Sequence, residues 1–366
     1  MGKHAEMDEG GRKRDREGER ETGGPTRKKG DPVAESRRRE EEEIERYMAK
    51  YPGEDWSDRL AVQARQYFED WQAVWACVFG SFEATTPIPP MRFTDEPVPS
   101  HAEDQDTVQI FSVKIKEILR GLQWPLDVFG VIAVRDSIDR SRNIIFNRQR
   151  DNCQTLTEED PYLLLTGPTR AVVVSDPVYF EVVLRVKGSV ESEDKELSLL
   201  TVPLTDYSEI VRTCLINEEY TSKLSTLELT FGYIVSSVEA TISVHVTEGS
   251  WPDGFYGKFS ACTPSLRQNE ILLLDPGCEK VPVNGNGMIK LSRCVASVEL
   301  EGELEVSVAA FQYDSDENKI KFVKNDTEGF RPKKAGKSFG KLDVGFCKMD
   351  ITVAWSLMSL VPAHYA

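Results

Sequence analysis

The sequence predicts an all-β body of two related, β-sandwich-like units packed as one, preceded by an amphipathic helix and a disordered tail. Three observations support this fold class. Beyond Thr107, apolar and polar residues alternate with a period of two, in short runs bounded by turn residues. No helical pattern of ordinary length interrupts these runs. A Trp-Pro corner also occurs twice, in "LQWPLDVFGVIAV" at Leu122–Val134 and "GSWPDGFYGKFSA" at Gly249–Ala261.

The tail, residues 1–43, is predicted to be disordered. It contains no aromatic residue and almost no aliphatic one, so it cannot bury enough apolar surface to offset the entropy of ordering. Two basic clusters, Arg12–Arg14 and Arg27–Lys29, resemble a bipartite nuclear-import signal. The alternative is a solvated tail in which acidic neighbours offset both clusters.

Residues 44–82 are predicted to be a helical segment. Arg37–Lys50 favours a short charged helix. A longer helix is predicted over Trp56–Phe79, with Asp55 as its N-cap and Gly80 at its end. Apolar residues recur there at three- and four-residue steps, the pattern of an amphipathic helix. We expect the apolar stripe to pack on the β body, with docking of a partner as the alternative.

A proline-rich linker is predicted over residues 83–106, where five prolines break any regular element. The β-rich domain follows over residues 107–360, with no strand predicted within Tyr207–Ser225. It has roughly fourteen or more strands, as in sandwiches or a closed barrel. Its strand-like runs are "VQIFSVKIKEI", "FGVIAVRD", "RNIIFNR", "YLLL", "RAVVVSD", "VYFEVVLRVKG", "KELSLLTVPL", "TLELTFGYIV", "VEATISVHVTEG", "FYGKFSA", "EILLLD", "GMIKLS", "SVELEGELEVSVAAFQ", "KIKFV" and "CKMDITVAWSL".

The two Trp-Pro corners predict approximate repeats over residues 107–235 and 236–360. Similar runs flank both corners, including "PYLLLTGPTRAVVV" and "NEILLLDPGCEKVPV". Each Trp is expected to be a buried anchor at a strand end, and each Pro ends the strand because it lacks an amide donor. The alternative is a carbohydrate-binding sandwich that uses Trp124 or Trp251 as an aromatic platform.

The charge distribution excludes some functions. The formal charge is −16, and residues 1–50 contribute nothing to it, because their 14 basic and 14 acidic residues cancel. An acidic body would repel a phosphate backbone, so nucleic acid is an unexpected partner and a protein is the expected one. Seven scattered cysteines, a charged N-terminus and the lack of a long apolar run predict an intracellular protein, cytoplasmic or nuclear, without a membrane span.

Four stretches of the β domain resemble a known family: "TVQIFSVKIKEI", "FGVIAVRDSIDRSRNIIFNRQRDNCQTLTEEDPYLLLTGPTRAVVVSDPVYFEVVLRVKG", "LELTFGYIVSSVEATISV" and "GFCKMDITVAWSLM". The family is a plant one, abundant in grasses, and is defined only as a domain of unknown function. The resemblance covers Thr107–Leu360. In some relatives this domain accompanies a ribosome-inactivating rRNA N-glycosidase domain. The resemblance implies a plant protein linked to stress or defence, and it implies no catalytic residue.

Few residues have the spacing that chemistry requires. His245 alternates with two valines and is expected on the outer face of a strand, where nothing nearby marks a nucleophile. "NGNGM" at Asn284–Met288 predicts a hairpin turn, and "GKSFGK" at Gly336–Lys341 a basic loop. The best calcium candidates are Asp314-Ser315-Asp316-Glu317 and the pair Asp136 and Asp139. Solvated loop charge is the preferred interpretation of both.

The segment Ser208–Arg212 matches the Ser-Glu-x-x-Arg core of rRNA N-glycosidases, in which Glu and Arg face the substrate. Here it lies in a connection between strands, with no long helical domain before it, and Glu-x-x-Arg recurs by chance in the tail. We therefore predict no catalytic, cofactor-binding or metal-binding residue and no cofactor. The predicted function is that of a non-enzymatic interaction or regulatory protein. The rivals are a translation-linked factor that uses Glu209 and the carbohydrate-binding sandwich.

Overall fold

The structure is a computed structural model, and it describes residues 38, 42, 45–50, 58–204, 211–277, 279–314 and 319–361. It divides into two compact units, Met1–Ala49 and Lys50–Ala366. In the first unit, Arg38, Glu42 and residues 45–49 are helical. Arg38 Nε lies 3.4 Å from Glu42 Oε1, one helical turn away. The two basic clusters and the rest of the predicted tail lie outside the described residues, whereas Arg38 and Glu42, near its end, are helical.

The second unit is built almost entirely of strands, which confirms the predicted all-β class. The alternating apolar and polar residues form strands because a period of two places one set on a buried sheet face. In order, the strands are β1 Gln105–Ile118, β2 Leu126–Arg135, β3 Asn143–Arg148, β4 Gln154–Leu156, β5 Val172–Val173, β6 Val178–Val186, β7 Lys195–Leu204, β8 Cys214–Thr221, β9 Ser225–Gly249, β10 Phe255–Cys262, β11 Ile271–Leu274, β12 Val295–Glu299, β13 Leu304–Asp314, β14 Lys319–Phe330, β15 Ala335–Asp343 and β16 Cys347–Ser356.

The strands form three antiparallel sheets. The largest has the order β15-β16-β9-β1-β5, with β8 and β12 also paired to β9. The second has the order β3-β2-β6-β7, with β4 on β2, and the third the order β11-β10-β13-β14. One hydrophobic core draws its residues from Val108 to Phe231, and the other from Ile234 to Leu357 with Phe111 added. Whether the two halves are related repeats stays a prediction.

Strand β9 belongs to both cores. The sequence predicts two strands here, but the structure has one of 25 residues. Its first part pairs with β1 and β8, and its second part with β12 and β16, so a neighbouring strand is present along its whole length. The change of partner falls near Ser236, which has a left-handed φ of 43°. The Ser236 amide donates to Asp106 Oδ1 at 2.9 Å, which holds the chain in this conformation.

Several other predicted strands need correction. "YLLL" forms only a bridge, from Tyr162 to Lys114. The Leu164 amide donates to the side chain of Gln154 and not to the main chain of a neighbouring strand. "RAVVVSD" shortens to β5, and "GMIKLS" makes isolated bridges. "SVELEGELEVSVAAFQ" is two strands, β12 and β13. The connection predicted over Tyr207–Ser225 contains β8, an edge strand. Its residues alternate between half-buried and exposed, but they are too polar for the sequence pattern to predict a strand.

The proline-rich segment between the helix and β1 packs against the large sheet. Ile88 and Phe93 are buried. The Phe93 amide donates to Ser356 Oγ at 2.9 Å, and the Met91 amide donates to Glu239 Oε1 at 2.7 Å. Side chains of β9 and β16 therefore hold this segment in place.

The amphipathic helix α1 spans Arg59–Phe79, so the predicted start is wrong. Its N-cap is Asp58, whose Oδ1 accepts from the Ala61 amide at 3.1 Å. Asp58 Oδ2 accepts from the Lys223 amide at 2.6 Å, a tertiary contact that sequence pattern does not reveal. Asp55 and Trp56 lie outside the described residues.

Helix α1 covers the second sheet with part of its apolar stripe and lies against β7. Ala61, Val62, Ala64 and Trp71 are buried, and Trp71 Nε1 donates to the Arg140 carbonyl at 3.1 Å. Trp75, nearer the C-terminal end, is 37% exposed. Packing on the β body thus accounts for the first two thirds of the helix.

Candidate functional site

Beneath α1 lies a buried charged cluster that is already saturated. Arg135 is fully buried and donates from Nε to Glu181 Oε2 at 2.9 Å. Its other nitrogens donate to the carbonyls of Arg140 and Phe82. Arg142 Nε donates to Glu181 Oε1 at 3.0 Å. These contacts join two loops, the one after α1 and the one between β2 and β3, to one sheet, and the charges are occupied by these partners.

The calcium candidates Asp136 and Asp139 are also committed to the fold. Both oxygens of Asp136 accept from the buried Arg170 guanidinium, at 2.6 and 2.9 Å. The Val173 amide adds a further bond at 3.0 Å. Asp139 Oδ1 accepts from the Ser141 amide. No group of three metal-ligating side chains occurs in the part of the chain that the structure describes.

His245 lies on the outer face of β9, as predicted. Its Nε2 lies 2.6 Å from the Asn286 carbonyl. The predicted turn over Asn284–Met288 is confirmed, because the Asn284 amide donates to the Met288 carbonyl and Gly287 has a φ of 87°. The turn covers the imidazole, so this histidine is a packing residue.

The two Trp-Pro corners differ in the structure. Trp251 is 2% exposed and packs edge-on against Phe259 and Phe346, so the prediction of a buried anchor is confirmed there. With no free ring face, Trp251 offers no platform to a sugar. Trp124 packs beside the first core but is only half-buried. The prediction of a buried anchor is therefore wrong for Trp124.

Two other predicted candidates fall mainly on residues that are not described. Ser208, Glu209 and Ile210 lie outside the described residues, as do Ser315, Asp316 and Glu317. Arg212, the last residue of the glycosidase-like match, is exposed. The structure therefore adds nothing to the hypothesis of an rRNA N-glycosidase site.

A basic surface on the acidic body is the most distinctive functional feature. The segment "RPKKAGKSFGK" carries five cationic residues and no acidic one, in a chain with a net charge of −16. All five are exposed. We call this surface the basic edge and define it by Arg331, Lys333, Lys334, Lys337, Phe339 and Lys341.

Most of the basic edge is a strand, whereas the sequence predicts a loop at "GKSFGK". Strand β15 is the outermost strand of the large sheet and pairs with β16 along its length. Lys337, Phe339 and Lys341 alternate on the solvent side, while Leu342 is buried. Phe339 is 75% exposed. It lies opposite Thr352 of β16, so its cross-strand neighbour is a small polar side chain.

The cations of the basic edge are not neutralised by nearby carboxylates, unlike the lysines around them. Lys324 lies 3.8 Å from Asp343, and Lys348 lies 2.6 Å from Glu248. Within the described residues, none of the five basic-edge cations forms an ion pair. Their positive potential is therefore available to a ligand.

An open cleft adjoins the start of this surface. It has a volume of about 690 Å³ and is lined on one side by Arg331, Lys333 and Lys334. Glu301 and Glu303 line the other side. The cleft is thus of mixed charge, and the purely cationic part of the surface is the stretch of β15 from Lys337 to Lys341.

The sequence marked "GKSFGK" only as a basic loop, and the run of cations from Lys319 to Lys341 to which it belongs was not recognised as one surface. A charge count over a short window would have found it. The 23 residues from Lys319 to Lys341 contain eight basic and two acidic residues.

Taken together, these features define an all-β protein in which Asp136, His245 and Trp251 are held by contacts within the fold. The chain belongs to the family described as "Domain of unknown function (DUF6598)", whose model matches residues 107–353. Among curated proteins, none matches this chain.

Two kinds of solved structure resemble it distantly. Human GIVD cytosolic phospholipase A2 has 11% sequence identity and a TM-score of 0.21, over 70% of this chain and 33% of that chain. The paired C2 domains, A and B, of Extended-Synaptotagmin 2 have 11% identity and a TM-score of 0.25, over 75% of this chain and 100% of that chain. This chain spans about a third of the phospholipase chains that it matches. Among the described residues, no helix is both long and apolar enough to cross a membrane.

Proposed function

We propose that this protein is a non-enzymatic interaction protein that binds an acidic protein partner through the basic edge. One observation carries the proposal: five unpaired cations and an exposed phenylalanine share one short segment on a body that is otherwise strongly acidic. A local patch of opposite sign on a charged protein orients an encounter and selects the partner. The exposed Phe339 ring adds the apolar contact that a purely solvating lysine surface lacks.

Immobilised poly-glutamate tests this proposal, because the net charge of the protein should prevent retention unless the basic edge acts locally. We expect the full chain to be retained at low salt and released as salt screens the contact. The variant Lys337→Glu/Lys341→Glu should pass through unretained.

The matched control is Arg185→Glu/Lys195→Glu, which makes the same change of charge at exposed residues of β6 and β7. It should be retained like the wild type. Equal retention of both double variants would contradict the proposal. Stronger binding to an oligouridylate or to phosphatidylserine vesicles than to poly-glutamate, again lost in Lys337→Glu/Lys341→Glu, would replace the protein partner with nucleic acid or membrane.

The remaining functional expectations are part of the same proposal. A cytoplasmic or nuclear protein linked to stress or defence in plants would use this surface to join a larger assembly. An rRNA depurination assay tests the absence of catalysis. Depurination by the wild type that is lost in Glu209→Gln, with unfolding unchanged, would replace the interaction function with an enzymatic one.

A further inference from the structure

We infer that the acidic partner binds as an extended peptide that adds to the outer edge of β15 as a further strand of the large sheet. This inference rests on the proposed function and specifies how the basic edge would act. Four features of β15 lead to it: an open edge, a regular ladder, free main-chain groups and the alternation of its side chains.

The edge of β15 is long and regular. Its ladder with β16 runs for nine residues without a register shift, which gives an edge of about 30 Å. At its start the Gly336 amide donates to the Thr94 carbonyl at 2.8 Å, so the open part of the edge begins at Lys337. By contrast, the ladder of β14, the edge strand of the smallest sheet, is broken by a shift between Ala310 and Phe311. Bulges of that kind protect natural edges from further pairing, and β15 has none.

The direction of the main-chain groups follows from the two ends of the β15–β16 ladder. At one end the Val344 amide donates to the Cys347 carbonyl, and at the other the Leu357 amide donates to the Lys334 carbonyl. In an antiparallel ladder, bonded and non-bonded pairs alternate, so beyond Gly336 the even-numbered residues of β15 face β16. The amides and carbonyls of Lys337, Phe339 and Lys341 therefore point outward.

Two contacts confirm this direction at the same edge. The Asp343 amide donates outward to Asp326 Oδ2 at 2.7 Å, and the Lys337 carbonyl accepts from Lys333 Nζ at 2.9 Å. The outer edge thus bonds to side chains where they are in reach. Between these two points, no described residue bonds the outward amides and carbonyls of Phe339 and Lys341, so these groups can bond an incoming strand.

The side chains specify the chemistry of that strand. Lys337, Phe339 and Lys341 share one face, so a paired strand places its own alternate residues about 5 Å from them. Acidic residues suit the two lysines, and an apolar residue suits Phe339. The complementary pattern is acidic–x–apolar–x–acidic.

Carboxylates near Lys341 modulate this charge without pairing with it, and Asp326 of β14 reaches the same outer edge at Asp343. Asp350 lies opposite Lys341 on β16, and Lys341 lowers the pKa of Glu248, after the larger effect of Lys348. Lysines on an edge strand disfavour pairing with neutral or basic strands. Here the same lysines would admit an acidic strand, which provides selectivity.

The test uses the full-length protein and a fluorescent probe peptide of sequence TETVTET, measured by fluorescence polarisation. Two isomers of the probe separate strand addition from charge attraction. One carries N-methyl groups on its two glutamates and its valine, and the other on three of its threonines. The isomers have the same charge and composition but block opposite edges of the peptide.

We expect one isomer to bind like the parent peptide and the other at least tenfold more weakly, since only one edge of the peptide can face β15. Lys337→Glu/Lys341→Glu should weaken the parent at least tenfold. Equal affinities of the two isomers, or no binding of the parent by a protein that poly-glutamate retains, would overturn strand addition alone. Unchanged binding of the parent to the double variant would overturn the proposed function instead.

Discussion

The two halves of the β body differ in where their charged side chains lie and in what these side chains bind. The half around the first core buries charged side chains in pairs, as in Arg135 with Glu181 and Arg170 with Asp136. The half around the second core buries Arg293 with hydrogen bonds to the carbonyls of Ile110 and Phe111, and the other cationic side chains described there are half-buried or exposed.

The difference separates charge that joins parts of the fold from charge to which we assign the proposed binding of a partner. In the first half, each buried pair joins segments that are distant in sequence: Arg135 and Glu181 join β2 to β6, and Asp136 and Arg170 join two loops. In the second half, the cations of the basic edge hold nothing together, and removing them should leave the fold intact. Stability measurements can therefore test this division of roles.

The largest expected effect is that of Glu181→Ala. Removing this carboxylate leaves the fully buried Arg135 without its counter-ion, so we expect a loss of about 3–5 kcal/mol in the free energy of unfolding. Urea unfolding monitored by circular dichroism measures it. The control is Lys116→Met, which breaks an ion pair with Glu219 whose side chains are 42% and 52% exposed and should cost less than about 1 kcal/mol. Similar losses for both variants would contradict the role given to the buried pair.

A second comparison sets Arg170→Met against Arg293→Met. Arg170→Met leaves Asp136 buried and unpaired and should cost about 3 kcal/mol. Arg293 has no carboxylate partner, and burial lowers its pKa to about 10. Its replacement removes the cost of burying a charge together with two hydrogen bonds, so we expect a change within about 1 kcal/mol. Denaturant unfolding measures the loss of stability in both variants. A larger loss for Arg293→Met than for Arg170→Met would contradict the prediction.

The strands and turns of the β body were largely predictable from sequence. Alternation of apolar residues marks β2, β6 and most of β9, because their buried faces are rich in valine, isoleucine and leucine. The turn at Asn284–Met288 was found because Asn-Gly favours the left-handed conformation that a tight hairpin needs. Local chemistry determines these features, so a local pattern reveals them.

Tertiary contacts were not predictable in the same way. Arg135 and Glu181 are 46 positions apart in the chain, and only the pairing of β2 with β6 brings them together. Strand β15 carries only Phe339 and Leu342 as large apolar residues, and they lie on opposite faces. Its strand conformation depends on pairing with β16, so its sequence alone looks like a loop.

The smallest expected effect concerns Glu239, on β9 where the two cores meet. Its oxygens accept from the amides of Met91 at 2.7 Å and Ala171 at 2.8 Å. Burial raises its pKa above the ordinary value of 4.5, although both amides and the nearby Arg170 oppose the shift. The folded state therefore binds this proton more tightly than the unfolded state does, and the stability due to protonation is lost as the pH rises above about 4.5.

The variant Glu239→Gln cannot titrate, so the difference in unfolding free energy between the wild type and this variant isolates the effect. We expect the wild type to lose up to about 1.4 kcal/mol per pH unit relative to the variant, within the interval between the unfolded and folded pKa values. Urea unfolding at a series of pH values from 4 upward measures this slope. A flat difference would mean that the carboxylate is ionised as readily as in the unfolded chain. In that case the backbone amides and Arg170 would stabilise the buried carboxylate of Glu239 as well as water does in the unfolded chain.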